Sequence, residues 1–392
     1  MKRILTLGIL LSIVLMMTAE QAMAIPAFAR KYKFSCTVCH QPFPRLKPYG
    51  DDFAANGFML EDDPATRYFQ DTGDKDLRLI RDFPIAIRLD LWAMNNAATE
   101  KYADYMEPYV MKLLSGGALS DNIAYYFYFY LGEKGEVAGL DDAFLMFNNI
   151  IGGQNLDLYV GQFSMVDPLM KTELRLPFEN YMAYRIRVGR SLTRLSYERG
   201  FMVTYGLPTG TDFVLQVVNG NGLGPAVDDF SFDIDKYKGY AGRVKQDVAG
   251  LFSIGGYMYY NKEVDPDNVT SPLRNETTYL GVDAGVPVGP VELTLQWLQR
   301  TDANPDFIAN PTEVVSQGLI AEAVLWPHGD DSRWYAYGLY NDFNCDVDAY
   351  DYQTITVGGG YLLQRNVRLV AEFTQDTILE KARGGIGMVL AF

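Results

Sequence analysis

Residues 276–301 read ETTYLGVDAGVPVGPVELTLQWLQRT, and this stretch decides the fold. After Gly289-Pro290, apolar and polar side chains alternate in the order Val291, Glu292, Leu293, Thr294, Leu295, Gln296 and Trp297. A period of two predicts a β-strand, and a Gly-Pro turn between two such runs predicts an antiparallel pair. One apolar and one polar face suit a sheet with lipid outside and a wet lumen inside. A soluble β-sandwich alternates in the same way, so this pair alone does not separate the two.

The same pattern recurs from Pro84 to the last residue, where it predicts 16 strands. Their approximate bounds are 84–95, 106–117, 121–133, 140–150, 155–165, 199–207, 211–221, 238–248, 251–262, 276–288, 290–301, 313–326, 331–342, 350–363, 366–375 and 383–392. Short turns such as Ala249-Gly250 and Arg365-Asn366 alternate with longer loops. Outer-membrane barrels combine an even strand number, short periplasmic turns and long extracellular loops. The prediction is therefore an all-β fold: a 16-stranded antiparallel transmembrane barrel over residues 84–392, porin-like, with both termini in the periplasm.

The end of the chain agrees with this prediction. Apolar residues occupy every second position at Ile386, Met388, Leu390 and Phe392. This ending resembles the C-terminal signal of outer-membrane porins, which implies the barrel-assembly machinery as a partner. Lipopolysaccharide is the other partner expected of an outer-membrane barrel, and the acidic loops of this chain suit contact bridged by divalent cations as well as concentration of Fe²⁺ at the mouth.

A barrel of 16 strands leaves an aqueous channel unless something fills it. One candidate is the connection from Val166 to Glu198, whose position resembles the constriction loop of general porins. Its arginines are Arg185, Arg187, Arg190 and Arg194. A solvated loop that binds lipopolysaccharide phosphates or local carboxylates is the alternative. The other candidate is the N-terminal part of the chain, plugging or capping the lumen.

Composition removes several classes of protein. After residue 24 no stretch approaches the roughly 20 apolar residues of a transmembrane helix. The net charge of −15 is opposite to that of a nucleic-acid binder, so no nucleic acid is expected as a partner. Two histidines and three cysteines are too few for a multi-histidine metal site or a disulfide-stapled scaffold.

The first 24 residues predict export. Lys2 and Arg3 precede an apolar run from Ile4 to Met17, and Ala22-Met23-Ala24 supplies the small residues of a cleavage site. Residues 1–24 therefore form the predicted signal peptide, and the mature chain begins at Ile25.

A C-x-x-C-H motif follows soon afterwards, as Cys36-Thr37-Val38-Cys39-His40. In this spacing two thiols bind the vinyl groups of haem c, and the histidine is the proximal iron ligand. A redox dithiol, a disulfide and half of a zinc site are the alternatives. Zinc needs two further ligands, whereas His328 and Cys345 are the only histidine and cysteine left, and a thioredoxin-like dithiol needs a βαβ setting that this sequence lacks. The sequence therefore predicts one covalent haem c on Cys36, Cys39 and His40.

Residues 25–83 form the predicted monohaem segment. It is proline-rich and too short to bury much surface by itself, so the barrel is expected to cover the haem. One helix is predicted from Pro48 to Asn56, with Gly57 as its stop. Met59, just past this helix, is the first candidate for the distal iron ligand; His328 and an open or water-bound site are the alternatives.

Three runs in residues 26–58 carry a resemblance to a known family. They are Pro26-Ala27-Phe28-Ala29-Arg30, Cys36-Thr37-Val38-Cys39-His40, and the spaced residues Pro44, Leu46, Tyr49, Gly50, Phe53, Gly57 and Phe58. This segment resembles the fused outer-membrane cytochrome–porin family, which includes the iron-oxidising outer-membrane cytochromes of acidophilic and neutrophilic iron oxidisers. The family often carries a basic residue after the glycine, where this chain has Asp51-Asp52. The resemblance implies a single haem inside or at the mouth of a barrel, with electrons crossing the outer membrane and Fe(II) as the donor in some members.

These observations favour an electron conduit across the bacterial outer membrane, an electron-transfer protein with iron oxidation as its first expected activity. It would pass electrons from extracellular Fe(II) to a periplasmic c-type cytochrome or another carrier. Electron export to an extracellular acceptor is the same device in reverse. A solute-diffusion porin with an N-terminal plug is the alternative from another class.

Overall fold

The computed structural model describes residues 27–60, 68–96 and 101–392. The predicted signal peptide, residues 1–24, lies outside the described residues. The N-terminal segment (residues 27–60 and 68–83) contains α1 (Ala27–Tyr32), a one-turn 3₁₀ helix (Cys36–Val38), α2 (Pro48–Ala55) and a small hairpin of β1 (Phe69–Gln70) and β2 (Leu79–Ile80). Helix α2 agrees with the predicted helix, and Gly57 ends it with a φ of +66°. None of the described helices has the length and apolar character needed to cross a membrane.

The rest of the chain closes into a barrel of 16 antiparallel strands. They are β3 (Ile85–Asn96), β4 (Lys101–Ala118), β5 (Ile123–Glu133), β6 (Gly139–Phe147), β7 (Asn155–Ser164), β8 (Tyr197–Gly206), β9 (Thr211–Val218), β10 (Gly239–Val248), β11 (Phe252–Val264), β12 (Arg274–Val288), β13 (Val291–Asp302), β14 (Val314–Leu325), β15 (Trp334–Cys345), β16 (Tyr352–Gln364), β17 (Val367–Asp376) and β18 (Lys381–Ala391). The ring closes where β18 pairs with β3, with Leu390 opposite Leu89. Each predicted strand corresponds to one of these, which confirms the all-β barrel.

The two faces of each strand differ as a membrane barrel requires. On β13, Leu293 and Leu295 point outward and are 41% and 51% exposed, whereas Gln296 and Arg300 point into the lumen and are buried. The pairing register of the strands determines which side chains face outward and which face the lumen, because a slip of one residue would exchange the two faces. The outer surface is therefore apolar and the inner wall polar.

Several strand ends lie outside the predicted bounds. β15 continues to Cys345, which pairs with Ser316 on β14, so this strand ends three residues beyond the predicted end at 342. β4 begins at Lys101, so the first loop is also shorter than expected. Other strands end earlier than predicted: β6 ends at Phe147 and β9 at Val218. Apolar alternation is required only within the lipid-facing band, so it locates each strand better than it locates the ends of that strand.

Inside the barrel, the long loop (residues 165–196) folds back against the inner wall. The hydroxyl of Tyr184 donates to Gln296 Oε1, and the Arg300 guanidinium donates to the Thr193 carbonyl over 2.9 Å. Tyr181 and Tyr184 are buried in an apolar cluster that also contains wall residues such as Ile320. The long loop thus occupies the lumen, as a constriction loop does.

Candidate functional site

The C-x-x-C-H motif lies on a single tight turn. Ser35 caps its 3₁₀ helix by accepting from the Thr37 amide over 3.3 Å, and the His40 amide donates to the Cys36 carbonyl over 2.9 Å. The turn keeps Cys36, Cys39 and His40 within one loop of backbone. All three cysteines of the chain are free thiols in this structure.

Helix α2 packs directly on the motif. The Lys47 amide donates to the Cys39 carbonyl over 2.8 Å, and Pro48 opens the helix at its first turn. A Cβ atom at position 50 would lie 2.3 Å from the Cys39 carbonyl oxygen. Only glycine permits this approach, so Gly50 is what allows the helix to support the motif turn.

The His40 ring is held in a defined orientation. Its Nδ1 lies 2.8 Å from the Pro44 carbonyl oxygen, and its ring meets that of Phe43 edge to face at 4.8 Å. Burial lowers the pKa of His40, although hydrogen bonds to the Pro44 and Arg45 backbone oppose the shift. A neutral imidazole that donates from Nδ1 to a carbonyl keeps its Nε2 lone pair available as a ligand.

A cavity, here the motif cavity, borders Cys36 and His40. On its other sides lie residues of the barrel: Trp326, Gly329, Asp330, Ser332, Trp334, Tyr335, Leu362 and Arg365. These come from the β14–β15 connection and the neighbouring ends of β15 and β16. Although the sequence predicts that the barrel covers the motif, nothing in it identifies these particular residues, because they lie far along the chain.

Met59 and His328 are placed differently from Cys36 and His40. Met59 packs, with Cys39, against an aromatic cluster that includes Tyr32 and Phe53. Neither Met59 nor His328 is among the residues that line the motif cavity, although Gly329 beside His328 is. Among the described residues, no group of three or more His, Cys, Asp and Glu side chains is arranged to hold a metal ion. The distal ligand stays a prediction.

Ion pairs and hydrogen bonds hold the N-terminal segment across one end of the barrel. The Arg45 guanidinium contacts Glu292 Oε1 at 2.6 Å and Glu322 Oε1 at 2.9 Å, on β13 and β14. On the other side of the ring, Asn148 donates to the Ala55 carbonyl over 2.9 Å. All of these partners lie at the end where the strands are joined by the short turns, here the short-turn end.

The long loop reaches the same segment. Lys171 contacts the Asp51 carboxylate on α2 at 2.9 Å, and the Tyr181 hydroxyl donates to Glu322, the carboxylate that also holds Arg45. The acidic residue after Gly50 thus meets a lysine of the loop. Glu322 joins three parts of the molecule: the wall, the long loop and the N-terminal segment.

A second and larger cavity, the lumen cavity, lies between the long loop and the wall, with a volume of about 340 Å³. It extends from Glu133 and Leu140, near the end of the barrel opposite the short turns, to Arg368 and Val389, near the short-turn end. Arg368 also donates to the Phe43 carbonyl over 2.7 Å. Because Phe43 lines the motif cavity, the two cavities are separated there by one layer of residues.

Comparison with known proteins yields likenesses of fold only. No family model matches the chain, and no curated protein matches it. Among solved structures, a loop-deletion mutant of OmpT from Vibrio cholerae has a TM-score of 0.58 at 13% identity, with 79% of this chain and 99% of that chain covered. An anion-selective porin from Comamonas acidovorans has a TM-score of 0.58 at 11% identity, with coverages of 79% and 98%. The outer-membrane channel DcaP of Acinetobacter baumannii has a TM-score of 0.57 at 10% identity, with coverages of 79% and 97%. These likenesses show that the chain has the porin-like barrel fold.

Proposed function

We propose that this protein transfers electrons across the bacterial outer membrane through one haem c held by Cys36, Cys39 and His40. The donor is extracellular Fe(II), and the acceptor is a periplasmic c-type cytochrome. The observation that carries the proposal is the motif cavity, in which Cys36 and His40 face aromatic residues of the barrel wall. A redox motif is thereby fixed inside a chain that spans an insulating layer roughly 25 Å thick.

The residues present fit haem c. Cys36 and Cys39 are unbonded thiols at the required spacing, and His40 keeps Nε2 as a ligand while Nδ1 is tied to the Pro44 carbonyl. When bound there, haem c supplies a one-electron carrier. Tyr335, which is buried, and the other barrel residues that line the motif cavity would limit the access of water to a haem held there. Burial of a haem is one of the properties by which a protein sets the reduction potential of that haem.

Arginine pairing favours one candidate for the haem propionates. Arg88 contacts Asp90 at 2.7 Å, and Arg243 contacts Asp283 at 2.5 Å, so both have carboxylate partners within the barrel. Arg368 is buried, but its hydrogen bonds go to the Phe43 carbonyl and the Tyr335 hydroxyl, both neutral groups beside the motif cavity. Arg368 is therefore the wall arginine best placed to receive a propionate.

A reductant can approach from the long-loop side. The lumen cavity leads from Glu133 toward Arg368, so a small donor can come within one layer of residues of the motif cavity without crossing lipid. Because the lining is basic, Fe(II) bound in an anionic complex suits this route better than the free cation. The short-turn end then faces the periplasm, where the carrier docks. Lipopolysaccharide surrounds the long loops, and the barrel-assembly machinery inserts the chain.

A solute-diffusion porin is the second candidate, and the porin-like fold with its lumen cavity favours it. The N-terminal segment, however, crosses the short-turn end and is held there by Arg45, Asn148 and Lys171. We therefore expect low ion conductance in planar bilayers. Conductance as high as that of an open porin would favour the second candidate.

Haem attachment tests the proposal. Full-length protein should show a Soret band and haem staining that survives denaturation, and added Fe(II) should reduce the haem. The double substitution Cys36→Ala/Cys39→Ala should abolish the staining, whereas Cys345→Ala, which removes the third cysteine, should leave it unchanged. Staining that persists in the double variant, or is absent from the wild type, would refute the assignment.

A further inference from the structure

We propose that the lumen cavity binds a small multivalent oxyanion, one that carries two or more carboxylate or phosphate groups. Arg175, Arg185 and Arg194 of the long loop are the residues that bind it. The site is separate from the Cys36–His40 motif and does not require haem.

The lining of the lumen cavity is basic, although the chain as a whole carries a charge of −15. Its cationic residues are Arg88, Lys112, Arg175, Arg185, Arg194 and Arg368, and its acidic residues are Asp90, Glu133, Asp141 and Glu173. A basic wall in a confined, low-dielectric space concentrates anions. The local charge is thus opposite to that of the molecule.

Two of the acidic residues are already neutralised by cations of the wall. Asp90 accepts from Arg88 at 2.7 and 2.8 Å, and Glu173 contacts Lys112 at 2.5 Å. Glu173 also accepts from the Tyr128 hydroxyl over 2.7 Å. Burial by itself would raise the pKa of Glu173, but Lys112, Arg175 and the Tyr128 hydroxyl together hold that pKa below its ordinary value. Neither carboxylate forms an ion pair with Arg175, Arg185 or Arg194.

Those arginines have no carboxylate partner among the described residues. Arg175 donates to the Thr172 carbonyl over 3.0 Å, and Arg185 donates to the Asn180 side chain over 3.1 Å. The Nε atoms of Arg175 and Arg194 are buried and have no hydrogen-bond partner there. Arg368, on the wall of the same cavity, has an orphaned Nε as well. Buried polar groups are normally satisfied, so three orphaned guanidinium donors on one cavity indicate a missing acceptor.

Mutual repulsion adds to this requirement. Burial lowers the pKa of Arg194, and the nearby Arg187 and Arg185 lower it further. An anion between these guanidiniums relieves the repulsion and accepts the orphaned N–H groups. A guanidinium binds carboxylate or phosphate in a planar, bidentate manner.

Part of the lining is apolar. Phe178, also on the long loop, packs between Trp92 and Tyr109, with ring centroids 4.9 and 4.8 Å away, so this part of the cavity is closely packed. A compact ligand with several oxyanion groups uses all three guanidiniums, whereas a monovalent anion uses one.

Calorimetric titration of full-length protein in detergent tests this proposal, with citrate and inorganic phosphate as probes and acetate as the monovalent comparison. Citrate or phosphate should bind more tightly than acetate, and added NaCl should weaken binding. The double variant Arg185→Gln/Arg194→Gln should lose at least about tenfold in affinity, because charge-assisted hydrogen bonds are among the stronger ones. Arg190→Gln is the matched control: it lies on the same loop but pairs with Asp265 and Asp267 at 2.9 Å and does not line the cavity.

The outcomes separate clearly. Affinity retained in Arg190→Gln and lost in the double variant supports the site. Absence of citrate and phosphate binding to the wild type overturns it, as does equal binding to the double variant or an equal loss in Arg190→Gln. If the double variant does not fold, Arg175→Gln is tested in its place. A loss of affinity in this variant supports the site, and affinity equal to that of the wild type overturns it.

Discussion

The contact between Glu322 and Arg45 allows a quantitative test of how the N-terminal segment is held in the barrel. Its side chain is 1% exposed and holds Arg45 at 2.9 Å, whereas Glu292, the other partner of Arg45, is 34% exposed. Burial and the two carboxylates act on Arg45 in opposite directions, and the carboxylates leave its pKa raised. The buried partner should therefore contribute most to holding the N-terminal segment in the barrel.

The size of the effect follows from burial. Glu322→Leu removes the hydrogen bond from the Tyr181 hydroxyl of the long loop and the buried, charge-assisted hydrogen bond from Arg45. Only the second ties the N-terminal segment to Glu322, and a bond of this kind contributes about 1.5–3 kcal/mol. At about 1.4 kcal/mol per factor of ten, the segment should open about tenfold to a hundredfold more often. Glu292→Leu removes an exposed ion pair contributing about 0–1 kcal/mol, so it should raise opening by less than about fivefold.

Hydrogen–deuterium exchange of the α2 amides measures this opening, because exchange follows the local opening equilibrium. Faster exchange in Glu322→Leu than in Glu292→Leu, with unchanged exchange in strands remote from β14, is the expected result. Exchange that is close to wild type in Glu322→Leu, or equal in the two variants, would refute the argument from burial.

Three further predictions concern the distal iron ligand, the topology of the barrel and a buried carboxyl group. Met59→Ala should lower the reduction potential and shift the oxidised spectrum toward high spin, as expected on loss of a thioether ligand; an unchanged spectrum would favour His328 or an open site. In a Cys345→Ala background, an impermeant thiol label should reach Asp348→Cys on intact cells but reach His328→Cys only after the membrane is opened, and the reverse pattern would invert the topology. Burial raises the pKa of Asp167 to about 6 against the opposing charge of Lys171, so the stabilisation from its protonated form is present at low pH and lost as the pH rises through about 6. Thermal unfolding between about pH 4 and about pH 7 should therefore become less pH-dependent in Asp167→Asn, and an unchanged profile would contradict this sign.

The barrel strands were predictable because lipid and a wet lumen impose a period of two on them. The alternation from Val291 to Trp297 is enough to place β13, and Pro48 and Gly57 bound α2 by their backbone preferences alone. Helix α1 was missed because six residues carry little periodic signal; Tyr32 is instead buried by packing against the aromatic cluster.

The site was only partly predictable for a related reason. The motif, Cys36 to His40, is local in sequence, so its spacing is visible. Its surroundings are not: Arg45 and Glu322 lie far apart along the chain, and only the closed ring brings them together. Backbone pairing beyond the lipid band, as at Cys345, likewise leaves no alternation to detect.

Reduction of a cytochrome enclosed in liposomes tests most directly whether this protein conducts electrons across a membrane. Full-length haem-loaded protein would be placed in liposomes that contain oxidised cytochrome c, and Fe(II) would be added outside. We expect wild-type protein to reduce the trapped cytochrome and the His40→Ala variant to leave it oxidised. A wild-type protein that carries haem yet leaves the trapped cytochrome oxidised, or a His40→Ala variant that reduces it equally, would contradict the account.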